Sequence, residues 1–233
     1  MKKCLLLAFA FLYPLGSAHA QHPIVLQKLN EWNEATPPPD NETFKKEVLS
    51  TAQSLYSPSA ACSTSQVLIE ELQPATAERF VFSAVLNRTI RNAWTVIARL
   101  PGCDDVPARY MIMRNADDSI RTIRVNRGIS YAWDSLISDT LPLVRLAALT
   151  ALKGKGIDCG TEAKFKLGVT RIASEGKDLG GDSFGVRYAG TWSEIWPIET
   201  CNRKVEVRVD FTADGDGGAY SHIPGGQVAI LPK

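Results

Sequence analysis

A pattern of two cysteines and a tryptophan occurs twice in this chain, at nearly the same spacing. Cys62 is followed by Trp94 after 32 positions and by Cys103 after 41. Cys159 is followed by Trp192 after 33 positions and by Cys201 after 42. In both copies the Trp precedes the second Cys by nine residues. A strand-like run and an Ala-Asp pair follow each copy: residues 110–113 with Ala116-Asp117, and residues 205–211 with Ala213-Asp214. The period of 97 to 98 residues fits one small domain and is too long for a solenoid repeat. The chain therefore reads as a tandem duplication of a disulfide-stapled module.

That reading needs an oxidising compartment, and the N-terminus points to one. Lys2 and Lys3 form a basic start, residues 4–15 are an apolar run, and Ala18-His19-Ala20 offers the small residues that signal peptidase prefers. The run is too short to span a bilayer core of about 30 Å as a helix. Residues 1–20 are expected to be a signal peptide, cleaved after Ala20, and the mature protein to be periplasmic or secreted. No transmembrane segment is expected after leader removal. Cys4 leaves with the leader, so four of the five cysteines remain. Four cysteines allow three pairings. A module duplicated whole carries its own bridge, which selects Cys62–Cys103 and Cys159–Cys201. Closing each loop is worth about 4 kcal/mol in the chain-entropy model. Zinc would want closely paired cysteines, and that spacing is absent; no metal or cofactor is expected.

Removing Lys2 and Lys3 shifts the formal net charge from +1 to −1. A near-neutral chain lacks the electrostatic footprint of a nucleic-acid binder. Arginines crowd the first copy (Arg109, Arg114, Arg121, Arg124, Arg127), but they alternate with apolar residues as a solvated strand face would.

Four segments follow: the signal peptide 1–20, an N-terminal segment and Pro-rich linker 21–39, a first module 40–128 and a second module 129–233. Residues 24–32 read as one or two helical turns, ended by Pro37-Pro38-Pro39. Asp40 or Asn41 caps a helix to about Ser57, with Phe44, Val48, Ala52 and Leu55 on its buried face. Strands are expected at 66–72, 79–86, 93–100, 108–114 and 119–125, with Asn126-Arg127-Gly128 closing the copy. A second helix, 141–153, is expected to be capped by Asp139 or Thr140, with Pro142 in its first turn. Its stripe is Leu143, Leu146, Ala147, Thr150 and Ala151, buried between the modules or against both sheets. The second copy has strands at 163–172, 184–196, 204–212 and 219–223. Runs of strands after a helix point to an α+β fold, each module a helix followed by about four antiparallel strands.

Few motifs carry chemistry. Asp214-Gly215-Asp216-Gly217-Gly218 lacks the acid and the flanking helices of a calcium loop and reads as a hairpin turn. The Gly-rich stretch 175–182 lacks the Lys-Ser/Thr of a phosphate cradle and is a candidate contact loop. Only His22 and His222 survive leader removal, and Ser221 alternates to the opposite strand face from His222, so no catalytic residue is assigned. Carboxylate-pair chemistry stays open. Trp192, Glu194 and Trp196 alternate to one face of a strand, flanking a carboxylate with two aromatics. Two readings fit: core packing, or a recognition patch. On the second, Trp196→Ala leaves folding largely intact and weakens binding.

The stretch Trp192-x-Glu194-x-Trp196-x4-Cys201, then Phe211-x-x-Asp214-Gly215-x-Gly217-Gly218, resembles a pattern in small secreted proteobacterial proteins of unknown function. It covers the last third of the chain and implies export and a disulfide-bonded module. The tandem helix-plus-sheet layout is also similar, in architecture alone, to the β-lactamase inhibitory proteins. The expectation is an exported, non-catalytic binding protein of the bacterial envelope, whose partner is another protein or an envelope component. The alternatives are a periplasmic hydrolase using carboxylates in the inter-module crevice, or a purely structural envelope protein.

Overall fold

The computed structural model describes residues 23–55, 66–102, 104–160 and 163–232. The expected leader, His22 and the Cys62–Cys103 bridge lie outside them. The fold is α+β, with four helices among the described residues and one large, mostly antiparallel sheet. The Cys159–Cys201 disulfide is formed, with its Cα atoms 5.5 Å apart.

Helices α1 (Pro23–Ala35) and α2 (Asn41–Leu55) come first. The first is longer than the one or two turns expected, because Leu29 is fully buried and Trp32 packs on Phe82, their rings 5.5 Å apart. The Asp40 carboxylate caps α2 by accepting from Thr43 N at 2.8 Å. Phe44, Val48 and Ala52 form its buried face, whereas Leu55 is exposed.

The sheet begins with β1 (Leu68–Pro74), then β2 (Ile90–Leu100), β3 (Asp104–Asn115) and β4 (Ile120–Gly128), all paired antiparallel in that order. Residues 79–86, expected as a strand, are helix α3 (Arg79–Leu86). Glu78 explains the difference: its carboxylate accepts from Phe80 N and Val81 N at 2.9 and 3.1 Å, supplying a helix start that a β-rich composition conceals. Face assignment follows from strand alternation. Trp94, Val96, Ala98, Tyr110 and Ile112 pack under α2, whereas Ala93, Met111 and Met113 pack with Val81 of α3 on the other face.

Helix α4 (Asp134–Gly154) begins seven residues before the expected start, with Pro142 inside it. Leu136, Ile137, Thr140, Val144, Ala148 and Leu152 are buried, while Leu143 and Leu146 are 48% and 62% exposed. The expected stripe lies one position off the buried row at 144, 148 and 152: Leu143, Leu146 and Thr150 are exposed, while Ala147 and Ala151 are half-buried. By length and composition α4 could cross a membrane, with a mean hydropathy of 1.4 over its most apolar window. Here it lies along one face of the second half of the sheet and is not sandwiched between two sheets.

That second half contains β5 (Lys166–Leu167), β6 (Val169–Glu175), the small hairpin β7 (Asp182–Ser183) and β8 (Val186–Arg187), β9 (Thr191–Thr200), β10 (Arg203–Ala213), β11 (Ala219–His222) and β12 (Val228–Ile230). The strand order is β1-β2-β3-β4-β6-β9-β10-β11, with β5 on β9 and β12 on β10. Residues 126–128 do not close a separate copy. They extend β4, which pairs in parallel with β6 through Arg127↔Val169 and Gly128↔Thr170 and makes one sheet of both halves. Gly128 sits at φ +87°, and a Cβ there would lie 2.1 Å from the Thr170 carbonyl oxygen, so this crossing point needs glycine. Residues 214–218 form the expected hairpin turn, with Asp214 Oδ1 accepting from Asp216 N and Gly218 N.

Candidate functional site

Trp192, Glu194 and Trp196 do share one face of β9, as their period of two requires, but that face is the interior one. Trp192 is 2% exposed, and Glu194 and Trp196 are fully buried. Trp192 stacks on Phe211 with ring centroids 5.0 Å apart, and Trp196 packs on the same ring at 6.0 Å. A buried indole N–H needs an acceptor, and both find it in Glu194, at 2.9 Å on Oε1 and 2.8 Å on Oε2. The three residues form a core cluster beneath α4, with no surface for a partner to touch. Of the two sequence readings, core packing describes their placement.

The carboxylate reaches further. Tyr131 N and Ala132 N donate to its Oε1 at 2.7 and 3.1 Å, and Ser130 Oγ donates to its Oε2 at 2.7 Å. Five donors therefore meet one buried carboxylate, offsetting a desolvation cost that amounts to several kcal/mol for an isolated ion. Three of those donors belong to the segment that joins the halves. The opposite polarity of the same segment is taken by Arg109 on β3, whose guanidinium donates to Ser130 O and Ala132 O at 2.6 and 3.1 Å. Arg109, expected on a solvated arginine face, is instead half-buried at the seam. Burial lowers its pKa, while Asp182, Glu194 and Glu71 pull the other way.

Above this segment lies a crevice of about 330 Å³ between the two halves. Glu71, Arg109, Ser130, Tyr131, Asp182 and Arg187 line it, with Ile97 and Ile129 supplying apolar wall. The Arg187 guanidinium lies over the Tyr131 ring, 4.1 Å from its centroid. Tyr131 donates its hydroxyl to Glu175, and that bond raises the phenol's pKa. Burial pushes the Asp182 carboxyl above its usual range, against the hydrogen bond from Gly185 N and the attraction of Arg109 and Arg187. Among the described residues no ion pair engages Arg109 or Arg187; their N–H groups go to backbone carbonyls. The crevice thus places two guanidiniums and three carboxylates around one small space, Glu70 being paired with Arg99 at its edge, an arrangement suited to holding a charged ligand.

Three recesses are larger. A polar one of about 660 Å³ lies between α3 and the start of α4; the remaining two differ in kind. One of about 1040 Å³ lies beside the Cys159–Cys201 bridge, where Lys164, Lys166 and Lys204 are exposed side chains on an open surface. The other, about 660 Å³, is an apolar groove between α1, α3 and α4. Among the described residues no group of three or more His, Cys, Asp or Glu side chains could hold a metal ion.

Sequence reasoning named the Gly-rich stretch 175–182 as a contact loop; Asp182 at one end lines the crevice, and Glu175 at the other meets it only through its bond to Tyr131. It did not find Glu71, Tyr131 or Arg187. Arg109 carried one signal: it sits on the Met111–Met113 face of β3, which packs under α3 and the joining segment and is not free to solvent. The chain matches no protein-family model, no curated protein and no solved structure.

Proposed function

We propose that this protein is an exported, non-catalytic binding protein of the bacterial envelope, built from two duplicated modules, and that it receives its ligand in the crevice at their seam. The observation that carries this reading is the pair of guanidiniums, Arg109 and Arg187, facing a bounded crevice with Asp182 and Glu71 near enough to attract them but in no ion pair with either. A ligand that contacts these groups directly gains charge-assisted hydrogen bonds that they do not make to one another.

Duplication is supported by layout. Each half is a helix, a strand, an insertion and three antiparallel strands: α2, β1, α3, β2-β3-β4 and α4, β6, β7–β8, β9-β10-β11. The helices bury Phe44, Val48, Ala52 and Val144, Ala148, Leu152, a constant offset of 100 positions. Trp94 faces Ile112 across β2–β3 as Trp192 faces Phe211 across β9–β10. The parallel junction reverses strand direction between the halves, so α2 and α4 lie on opposite faces. Export to the periplasm or medium is supported by the leader pattern, and the Cys159–Cys201 disulfide is compatible with an oxidising compartment.

One observation favours a second reading. Asp182, pushed up by burial beside Glu71, is poised as a proton donor, as a hydrolase using carboxylates in this crevice would require. Native mass spectrometry after incubation with the small-molecule fraction of an envelope extract separates the two. An unaltered compound retained by the wild type and lost from Arg187→Gln supports binding; accumulation of cleaved products supports the hydrolase. Retention of nothing, with no product formed, overturns both.

A further inference from the structure

We infer that the seam crevice, if it is the binding site proposed above, takes a small zwitterion: a free amino acid or dipeptide whose carboxylate meets Arg187 and Arg109 and whose ammonium meets Asp182 and Glu71. Charge balance carries the argument. Two guanidiniums (Arg109 and Arg187) and three carboxylates (Glu70, Glu71 and Asp182) line the space; Glu70 is paired with Arg99, and among the described residues no ion pair joins the other four groups. Asp182 accepts from Gly185 N and Glu71 from Gln73, and neither carboxylate is in direct contact with a cation. An anion alone would satisfy the arginines and repel the acids; a cation alone would do the reverse. A ligand bearing both charges completes all four groups and leaves the filled recess near neutral.

Shape agrees with charge. About 330 Å³ is at the lower end of the roughly 300–1,000 Å³ range of small-molecule sites, too small for a long chain. Ile97 and Ile129 provide an apolar wall for a short side chain. The arginines are held before any ligand arrives, Arg109 on two linker carbonyls and Arg187 stacked on Tyr131 with a bond to Gly180 O. Such pre-organisation lowers the ordering cost of binding.

Isothermal titration of the mature protein with L-alanine, L-alanyl-L-alanine, N-acetyl-L-alanine and L-alaninamide tests this. L-alanine or the dipeptide, whichever of the two sources fits, should bind. Its counterpart lacking the ammonium or the carboxylate should bind roughly ten- to a hundredfold more weakly, the value of a charge-assisted hydrogen bond. In Asp182→Asn the penalty for N-acetylation should shrink, and in Arg187→Gln the penalty for amidation. Equal binding of all four compounds, or binding of none, overturns the zwitterion. Should none bind while the wild type still retains a compound from envelope extract and Arg187→Gln does not, the zwitterion falls and the binding reading stands. Loss of that retention too would remove both.

Discussion

Strands β2 and β9 hold the same place in the two halves of the sheet and bury alternate residues in the same rhythm, yet they fill it differently. In the first half the buried series is Trp94, Val96, Ala98 and Leu100; in the second it is Trp192, Glu194, Trp196 and Ile198. Where one half is closed by aliphatic side chains, the other places a carboxylate between two indoles. The difference is tied to the joining segment. The first half contributes Arg109, which takes the carbonyls of Ser130 and Ala132, and the second contributes Glu194, which takes the amides of Tyr131 and Ala132. At this matching position in the sheet, the second half carries a lock between halves, with the charged crevice directly above it.

Breaking that lock should have the largest effect. Glu194→Ala leaves five donors without their acceptor, and a broken buried network of this kind costs about 3–5 kcal/mol. Val96→Ala, at the matching position, removes two buried carbons and costs about 2 kcal/mol. Urea unfolding of both variants measures the gap, and equal losses would show that Glu194 is ordinary filling. Trp196→Ala belongs with Glu194 and not with a binding surface: a fully buried Trp costs about 3–5 kcal/mol when truncated. The sequence-based expectation of an intact fold in that variant is therefore withdrawn.

The bridges come next. Cys201 and Asn202 sit at φ +53° and +55° in the two-residue turn between β9 and β10, conformations favoured in tight hairpins but unusual for Cys. Replacing Cys159 and Cys201 by Ser should cost about 4 kcal/mol in the chain-entropy model. The comparison of halves extends to the other pair: non-reducing peptide mapping should return Cys62 linked to Cys103. A link from either residue into the second half, or free thiols at both, would break the likeness.

Much of the scaffold was legible because it repeats or alternates. Cysteine spacing selected Cys159–Cys201, period-two burial placed β2, β3, β9 and β10, and the 44-48-52 spacing marked α2. The failures have two causes: a local cap hidden by β-rich composition at α3, and contacts with residues distant in sequence at α4 and the crevice. Residues 79–86 look β-branched and aromatic, but the Glu78 carboxylate starts a helix there and also accepts from Ser135 N at 3.0 Å. The face of α4 is set by Val205, Val207 and Phe211 beneath it, which no local pattern reports. The crevice gathers β1, β3, the joining segment and the β7–β8 hairpin, so its members share no spacing at all.

On the proposed binding role the seam should be less stable than it could be, and Asp182 offers a test. Its folded-state pKa lies above the unfolded value because burial disfavours the charge. The folded form therefore binds more protons between the two values, and the group's contribution falls as pH rises through that window. Asp182→Asn should raise the melting temperature at pH 7, with a gain that fades as pH is lowered below the ordinary aspartate range of about 3.9. A loss of stability at pH 7 would mean that the carboxylate is paired in solution and that the crevice is complete without ligand.

The smallest effect is expected where the halves touch at the surface. Glu78 and Arg79 are neighbours, and both connect α3 of the first half to α4 of the second. Glu78 is 1% exposed and joins them through three backbone amides, whereas the Arg79–Asp139 pair, at 3.0 Å, leaves its side chains 72% and 59% exposed. Water already solvates the exposed pair, and holding two long side chains together costs entropy. Its coupling energy in a double-mutant cycle should be about 0.2–1 kcal/mol and should shrink further in about 1 M salt, where charges are screened beyond roughly 3 Å. A salt-resistant coupling well above that range would mean that the surface pair, and not the buried cap, holds the two helices together. The contrast between an interior lock and a decorative rim would then fail at the one place where adjacent residues test both.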